Sequence, residues 1–392
     1  MITTNNSSNH SNDNTVKNPF LLPEILLQLG YYLNGRDLIN AILVNHTWHS
    51  TLQRYICSLK VLRRLGTVHQ PGRNVGLKAK LFTAIASLTK LQELWLERLE
   101  VPLNESQAFL ETCQRLFSLH LATFIWNLPD LGLYEFSGIQ QLTFIKNKMT
   151  PLQELEFLAQ CPDVRFFRWQ TTSSLLEELS PQIQNLLNSR LKYLRTLAIQ
   201  YAALSDADIA AIVTSLPALV NLHAKSSQFG QLATQAIVNS RKGIQELDIC
   251  DCESATPEMI HAILSSCQDL ETFGGDIYDM KDLARGPWVC KRLFKLHISI
   301  MSTSSIAEAK SMDHARMYDQ LAQLTELSVL NLGDVRRTTR DSYDWIDLKL
   351  SSGLDRLKTL HNLEYFIVGS MHQGLGEAEQ EWIRENMPNA EF

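Results

Sequence analysis

The chain lacks any run of consecutive apolar residues approaching the roughly 18 that a membrane-spanning helix needs, so no transmembrane segment is expected. Glycine (17) and proline (12) are scarce among its 392 residues, which excludes a fibrous or low-complexity chain. Charge of one sign is also in short supply. The 36 Lys and Arg set against 42 Asp and Glu leave a net charge of -6, and nothing in the composition points to a nucleic-acid binder. The usual marks of catalysis are absent. There is no Gly-x-Ser-x-Gly elbow and no Walker sequence, and Gly374-Leu375-Gly376 is too short for a dinucleotide loop. His46 and His49 lie one helical turn apart with no second ligand pair. No enzymatic activity, metal or cofactor is therefore expected. The seven cysteines are odd in number and show no paired metal spacing, which favours a reducing, intracellular setting, cytoplasmic or nuclear. The first residues have neither a basic start nor an apolar stretch, so no secretory signal is expected. Their Asn, Ser and Thr content predicts a disordered tail over 1–17.

What the chain does have is an internal repeat. An apolar-x-x-apolar-x-apolar phrase recurs eleven times, with first positions at Leu91, Leu116, Ile139, Val164, Leu194, Leu219, Ile244, Leu270, Leu293, Leu327 and Leu363. The steps between them are 25, 23, 25, 30, 25, 25, 26, 23, 34 and 36 residues, mostly within the 20–29 range of leucine-rich repeats. The last two apolar positions are two apart and so point to the same side of a short strand. The rest of a repeat carries helical spacing, as over Glu105–Cys113, Pro151–Cys161, Asp206–Leu216 and Pro257–Cys267. Pro151 and Pro257 suit a first helical turn, and Ser205 and Thr256 suit helix caps. One strand–helix unit cannot close a core, so neighbours must stack. The expected fold is α/β: a leucine-rich-repeat solenoid over 66–376, with about eleven strand–helix repeats, parallel strands on the concave face and helices on the convex face. The acidic stretch 377–392, with Trp382 and Ile383, is expected to be a capping helix.

The cysteines fall into the same phase. Cys113, Cys161, Cys267 and Cys290 each precede a first apolar position by three residues, which predicts small, buried packing groups. Cys252 lies three residues after Ile249, where such repeats carry Asn or Cys to tie the turn, so Cys250-x-Cys252 reads as structural and not as a metal site. Cys57 has no assigned role.

Residues between the two inward positions face outward on the concave side. They form a column running Trp95, His120, Thr143, Arg168, Ala198, His223, Asp248, Gly274, His297, Asn331 and Ile367, with a second column two residues later from Glu97 to Gly369. The mixed polarity of the first column does not read as a phosphate groove. Its three histidines lie too far apart for one metal. The 34-residue step is rich in Ser, Met and Ala over 299–320. The 36-residue step carries Arg336, Arg337, Arg340, Tyr343 and Trp345. Long steps are expected to emerge as loops, and Arg with aromatics is a binding combination. The candidate partner-binding residues are Trp95, His120, Arg168, His223, Asp248, His297, Arg336, Arg340, Tyr343 and Trp345. A loop that merely covers the solenoid end remains the alternative for the last four.

Residues 18–65 do not share the repeat. Ile25, Leu26, Leu29 and Leu33 follow Pro23 with helical spacing, Asn34-Gly35 breaks the helix, and Leu38, Ile39 and Ile42 mark a second helix. Val44 and Trp48 share a face of the next turn. This small all-α module has little core of its own for its size. Leu22-Pro23-Glu24-Ile25-Leu26, Leu29, Leu33, Asp37-Leu38, Val44 and Trp48 together resemble the F-box motif, although Pro23 abuts Glu24 where the motif usually has one residue between them. The order of module and repeats resembles the F-box/leucine-rich-repeat proteins, and the divergent repeats are closest in style to fungal sets. The resemblance implies that Leu22, Pro23, Ile25, Leu26, Leu29, Leu33, Leu38, Val44 and Trp48 contact an Skp adaptor, and through it a cullin and a RING subunit. The repeats would then hold a protein substrate for ubiquitin transfer. A scaffold with no ubiquitin role, capped by this module, is the alternative.

Overall fold

The computed structural model describes residues 64–68, 81–126, 131, 134–170, 181, 185–186, 189–200, 204–240, 243–304, 306–333, 344–368 and 375–391. The F-box-like segment and the tail before it lie outside these residues.

One long parallel sheet runs through the described chain. Its strands are β1 (Arg64–Val68), β2 (Glu93–Glu97), β4 (Ser118–Ala122), β6 (Gln141–Ile145), β7 (Phe166–Gln170) and β8 (Thr196–Ile199). It continues with β9 (Asn221–His223), β10 (Glu246–Asp248), β11 (Thr272–Asp279), β12 (Lys295–Ser302), β13 (Val329–Asn331) and β15 (Tyr365–Ile367). A short parallel pair, β3 (Glu100–Val101) with β5 (Ile125–Trp126), forms a second small sheet. β14 (Asp344–Trp345) joins the long sheet antiparallel to β12.

The register follows the repeat phrase. The second apolar positions are paired across every junction: Leu94 with Leu119, Leu119 with Leu142, and so on through Leu296, Leu330 and Phe366. The ladder is fastened the same way ten times. One carbonyl, from Gln92 at the first junction to Ser328 at the last, accepts two successive backbone N–H groups of the next repeat, at 2.7–3.2 Å. After the strand, Arg98, Thr123, Lys146, Ser226 and Asp251 each stand two residues beyond the third apolar position with φ of 49–60°. This left-handed conformation costs a non-glycine residue about 1 kcal/mol. It turns the N–H of the first four onto a carbonyl of the following repeat at 2.7–2.9 Å. At Asp251 the acceptor is instead the Asp276 carboxylate, 2.9 Å away, beside the place where the β11–β12 register shifts.

Behind the sheet lie α1 (Leu81–Ala86), α2 (Ser106–Cys113), α3 (Pro151–Ala159), α4 (Asp206–Ser215), α5 (Gln231–Asn239), α6 (Pro257–Leu264), α7 (Met280–Leu283) and α8 (Ala307–Leu321). Helix α9 (Glu377–Asn386) follows the last strand. None of the described helices is long and apolar enough to cross a membrane. Local signals explain several boundaries. Thr150 with Gln153 and Ser205 with Asp208 form capping boxes, and Pro151 opens α3. Thr256 stands at the N-cap of α6, but contrary to expectation its side chain makes no capping bond. The nearby Glu258 carboxyl has its pKa lowered, first by its own backbone N–H and then by the Thr256 side chain. Asp206 caps across repeats: its carboxylate accepts from the N–H groups of Gly230, Leu232 and Ala233 at the start of α5. A Cβ on Gly230 would come within 2.8 Å of that carboxylate, so glycine permits the approach.

Two connections depart from the strand–helix unit. Between β4 and β6 the described residues form β5 and turns, with no helix. Between β13 and β15 they form β14 and two 3-10 turns, Leu350–Ser352 and Leu354–Thr359. The 34-residue step also differs from an emerging loop. Its extra length goes into the eight residues of β12 and the fifteen of α8.

The core lies between the sheet and the convex layer. All eleven second apolar positions are at most 3% exposed, and the third positions are buried as well. In the first repeats a second layer is aromatic. Phe157 lies 4.7 Å from Phe136, 5.8 Å from Phe144 and 6.0 Å from Trp126 between ring centroids. Beside it sits a buried polar network. Asn147 accepts the Phe124 N–H at 3.0 Å and donates to Glu154 at 3.0 Å, while the Trp169 indole N–H donates to Glu154 at 2.6 Å. Asn147 occupies the same repeat phase as Cys252, so it is the turn-tying residue of its repeat. Burial outweighs the Trp169 and Asn147 bonds and raises the Glu154 pKa to about 7.

Two predictions follow from this packing. Phe157→Ala leaves a cavity among three aromatic rings and should cost about 3–5 kcal/mol in urea unfolding; a loss under 1 kcal/mol would contradict the packing. For Glu154, the folded value lies above the free carboxyl value. Its contribution is therefore complete below about pH 4.5 and is lost as the pH rises through about 7. Comparing wild type with Glu154→Gln at pH 5 and pH 8, the stability gap should move in the variant's favour by about 2.5 kcal/mol at pH 8. A gap that does not change with pH would refute the assignment.

Candidate functional site

The parallel register turns one position per repeat into a continuous outward column. The column is Trp95, His120, Thr143, Arg168, Ala198, His223, Asp248, Gly274, His297, Asn331 and Ile367, each paired with the next in the sheet. The structure therefore places the six sequence candidates from Trp95 to His297 on one face. It does not bring them all together. His120 lies four strands from His223, and His223 three from His297, or roughly 19 and 14 Å at the inter-strand spacing. Among the described residues, no three His, Cys, Asp or Glu side chains are grouped to hold a metal.

Trp95, 55% exposed, stacks on His120 with centroids 4.6 Å apart and planes 14° from parallel. Burial lowers the His120 pKa, nearby Arg168 lowers it further, and Glu97 opposes both. Arg168 donates to Gln200 at 2.8 Å. Further along, His223 lies 3.4 Å from Glu246, and Asp248 accepts the Cys250 N–H at 3.1 Å. A Cβ on Gly274 would sit 3.1 Å from the Asp248 carboxylate, so this part of the column leaves little room for a side chain.

Beside the column, over the starts of the strands, lies an open cleft of about 310 Å³. Arg165, Arg195, Phe117, Phe166 and Asn221 line it. The one-per-repeat reading missed these residues. The cue was available in the sequence, since Arg165 and Arg195 both directly follow the first apolar position of a phrase.

The four candidates from the 36-residue step fare differently. Arg336, Arg340 and Tyr343 lie outside the described residues. Trp345 is not on a free loop: it is half-buried on β14 and paired with Met301 of β12. Antiparallel pairing with the extended end of β12 fixes it there.

The described cysteines are structural in their contacts. Cys113, Cys161, Cys250, Cys252 and Cys290 are buried and Cys267 partly so, and all six are free thiols. Burial pushes the Cys267 and Cys290 thiols up to about 11 and raises the other four as well, which disfavours the thiolate. Cys252 donates to the Ala224 carbonyl at 3.2 Å, tying the turn as its phase predicts.

No known protein family matches the chain. No curated protein sequence matches it. Among solved structures, the chain resembles an internalin (inlF) from Listeria monocytogenes, with 14% identity over 86% of this chain and 81% of that one, at a TM-score of 0.45. It resembles a leucine-rich-repeat protein of Leptospira interrogans, with 16% identity over 86% of each chain and a TM-score of 0.41. It also resembles the leucine-rich repeat-containing protein LegL7 from Legionella pneumophila, with 11% identity over 83% of this chain and 88% of that one, at a TM-score of 0.38. The repeat architecture itself is established by the sheet register described above.

The electrostatics of the column generate a prediction. Replacing Arg168 with Met removes the nearby positive charge, so the His120 midpoint in an NMR pH titration should rise. An unchanged midpoint would separate Arg168 from His120.

Proposed function

We propose that the solenoid is a protein-binding scaffold whose concave face receives the partner. The observation that carries this reading is the contrast across the sheet. The inward positions are sealed apolar core, while the outward side carries an exposed Trp95 on β2 and, further along, a cleft with two exposed arginines. We further propose that the partner is a substrate for ubiquitin transfer, and that the chain is the substrate-binding, non-catalytic subunit of an intracellular Skp–cullin–F-box ligase. That finer reading rests on the resemblance of Leu22–Trp48 to the F-box motif. In it, the apolar residues Leu22, Pro23, Ile25, Leu26, Leu29, Leu33, Leu38, Val44 and Trp48 meet the Skp adaptor, and the transfer chemistry belongs to the partner subunits.

Titrating an Skp adaptor against the full chain tests the ligase reading. The intact protein should bind. A Leu26→Asp, Trp48→Ala double variant with unchanged circular dichroism should lose at least about 100-fold in affinity, as expected when two central apolar contacts are removed. If the intact, folded protein does not bind, the ligase reading fails. The scaffold reading then stands with residues 18–65 as a terminal cap.

A further inference from the structure

The net charge of -6 conceals a local reversal on the concave face. From β4 to β9, five consecutive strands of the sheet and the residue preceding each carry no Asp or Glu. The same stretch holds Arg165, Arg168 and Arg195. Carboxylates resume on either side, with Glu97 on β2 and Glu246 on β10. Arg165 and Arg195 are neighbours across the β7–β8 junction, where the Arg195 N–H donates to the Arg165 carbonyl at 2.8 Å. Both side chains are exposed, and neither guanidinium has a hydrogen-bond or ion-pair partner among the described residues. They stand over the cleft, whose apolar walls include Phe117 and Phe166.

One further observation falls in the same place. Among the described residues, only two buried side-chain polar atoms lack a hydrogen-bond partner: Arg168 Nε, a donor, and Asn221 Oδ1, an acceptor. Arg168 is on β7 and Asn221 on β9, the two strands flanking β8. On β8 between them, Ala198 is in register with Arg168, while Thr196 is in register with Asn221 and accepts its Nδ2–H at 3.2 Å. Asn221 lines the cleft together with the two arginines, whereas the Arg168 guanidinium reaches Gln200 toward the other end of the strands. An extended peptide matches this chemistry. Carboxylate side chains suit the guanidinium forks, and a backbone N–H suits the unpaired Asn221 Oδ1 in the cleft lining.

We propose that this cleft binds an acidic, extended segment of the partner protein, with Arg165 and Arg195 as its charged anchors. The inference rests on the scaffold reading above and names the partner's chemistry. Five strands span four inter-strand gaps, roughly 19 Å, which about six extended residues would cross.

The test uses the full chain and fluorescence anisotropy. The labelled probes are an eight-residue peptide alternating glutamate with alanine and its glutamine counterpart. The glutamate peptide should bind at least about tenfold tighter, and its affinity should fall as salt rises. The double variant Arg165→Glu, Arg195→Glu, which breaks no described bond, should lose that preference, whereas Arg384→Glu on α9 should keep it. Equal binding of the two peptides, no binding of either, or an unchanged double variant would overturn the proposal. Loss of glutamate-peptide binding in Trp95→Ala but not in the arginine variant would keep the concave-face reading and overturn the cleft. A single-stranded oligonucleotide that binds more tightly than the peptide, and is lost in the arginine variant, would overturn it in favour of nucleic acid. The adaptor titration is independent of all these outcomes, so the two readings fail separately.

Discussion

The structure depends on a shared acceptor. At each junction one carbonyl receives two N–H groups of the following repeat, and this fixes where the next strand must begin. Once that point is set, the parallel ladder places apolar residue over apolar residue and outward residue beside outward residue. A residue added inside the phrase would turn the following core side chains toward solvent. Differences in repeat length therefore have to be absorbed elsewhere. The steps vary from 23 to 36 residues, yet the Leu94-to-Phe366 series stays in register. The surplus is taken up by the connections and by strand ends beyond the phrase, as in α8, the end of β12 and β14.

This division separates stability from recognition. The inward positions and the convex layer hold the fold, through features such as the ring cluster around Phe157 and the Glu154 network that links successive repeats. The outward positions contribute little to that core, so their chemistry is free to vary from strand to strand. A stacked Trp95–His120 pair gives way to Arg168 of β7 and to Arg165 and Arg195 just ahead of β7 and β8, and these to the carboxylates of β10. The overall charge of the chain hides this order, because composition averages over a face that the register arranges as a sequence of short columns.

Much of this architecture was legible in the sequence, and the reason is periodicity. Apolar residues at fixed spacing, repeated eleven times, identify both the strands and the direction each side chain takes. What escaped lacked that signal. β1 has Leu65 in the right phase, but Thr67 stands where the third apolar residue would be, so the phrase is incomplete. Phe124, Trp126 and Phe157 are core residues outside the phrase, and only three-dimensional packing brings their rings together. Glu154 looks like any surface glutamate of an amphipathic helix until Asn147 and Trp169 converge on it. Trp345 belongs to a strand two residues long, too short to leave a pattern. The cleft escaped for a different reason: its arginines directly follow first apolar positions and so stand outside the outward column.

The last strand raises a problem common to parallel sheets. Its outer edge repeats the hydrogen-bonding pattern of every strand before it and is therefore a template for adding one more. The chain folds back to occupy this template itself. Glu391 donates its N–H to the Glu364 carbonyl at 2.8 Å and accepts the Phe366 N–H at 2.9 Å, in a single-residue parallel bridge beside Tyr365. Ile383 of α9 is buried in the core just ahead of it. The same pairing that propagates the solenoid therefore also covers the outer edge of β15 at one position. One residue held in strand register there occupies backbone groups that a second molecule would otherwise be free to pair with.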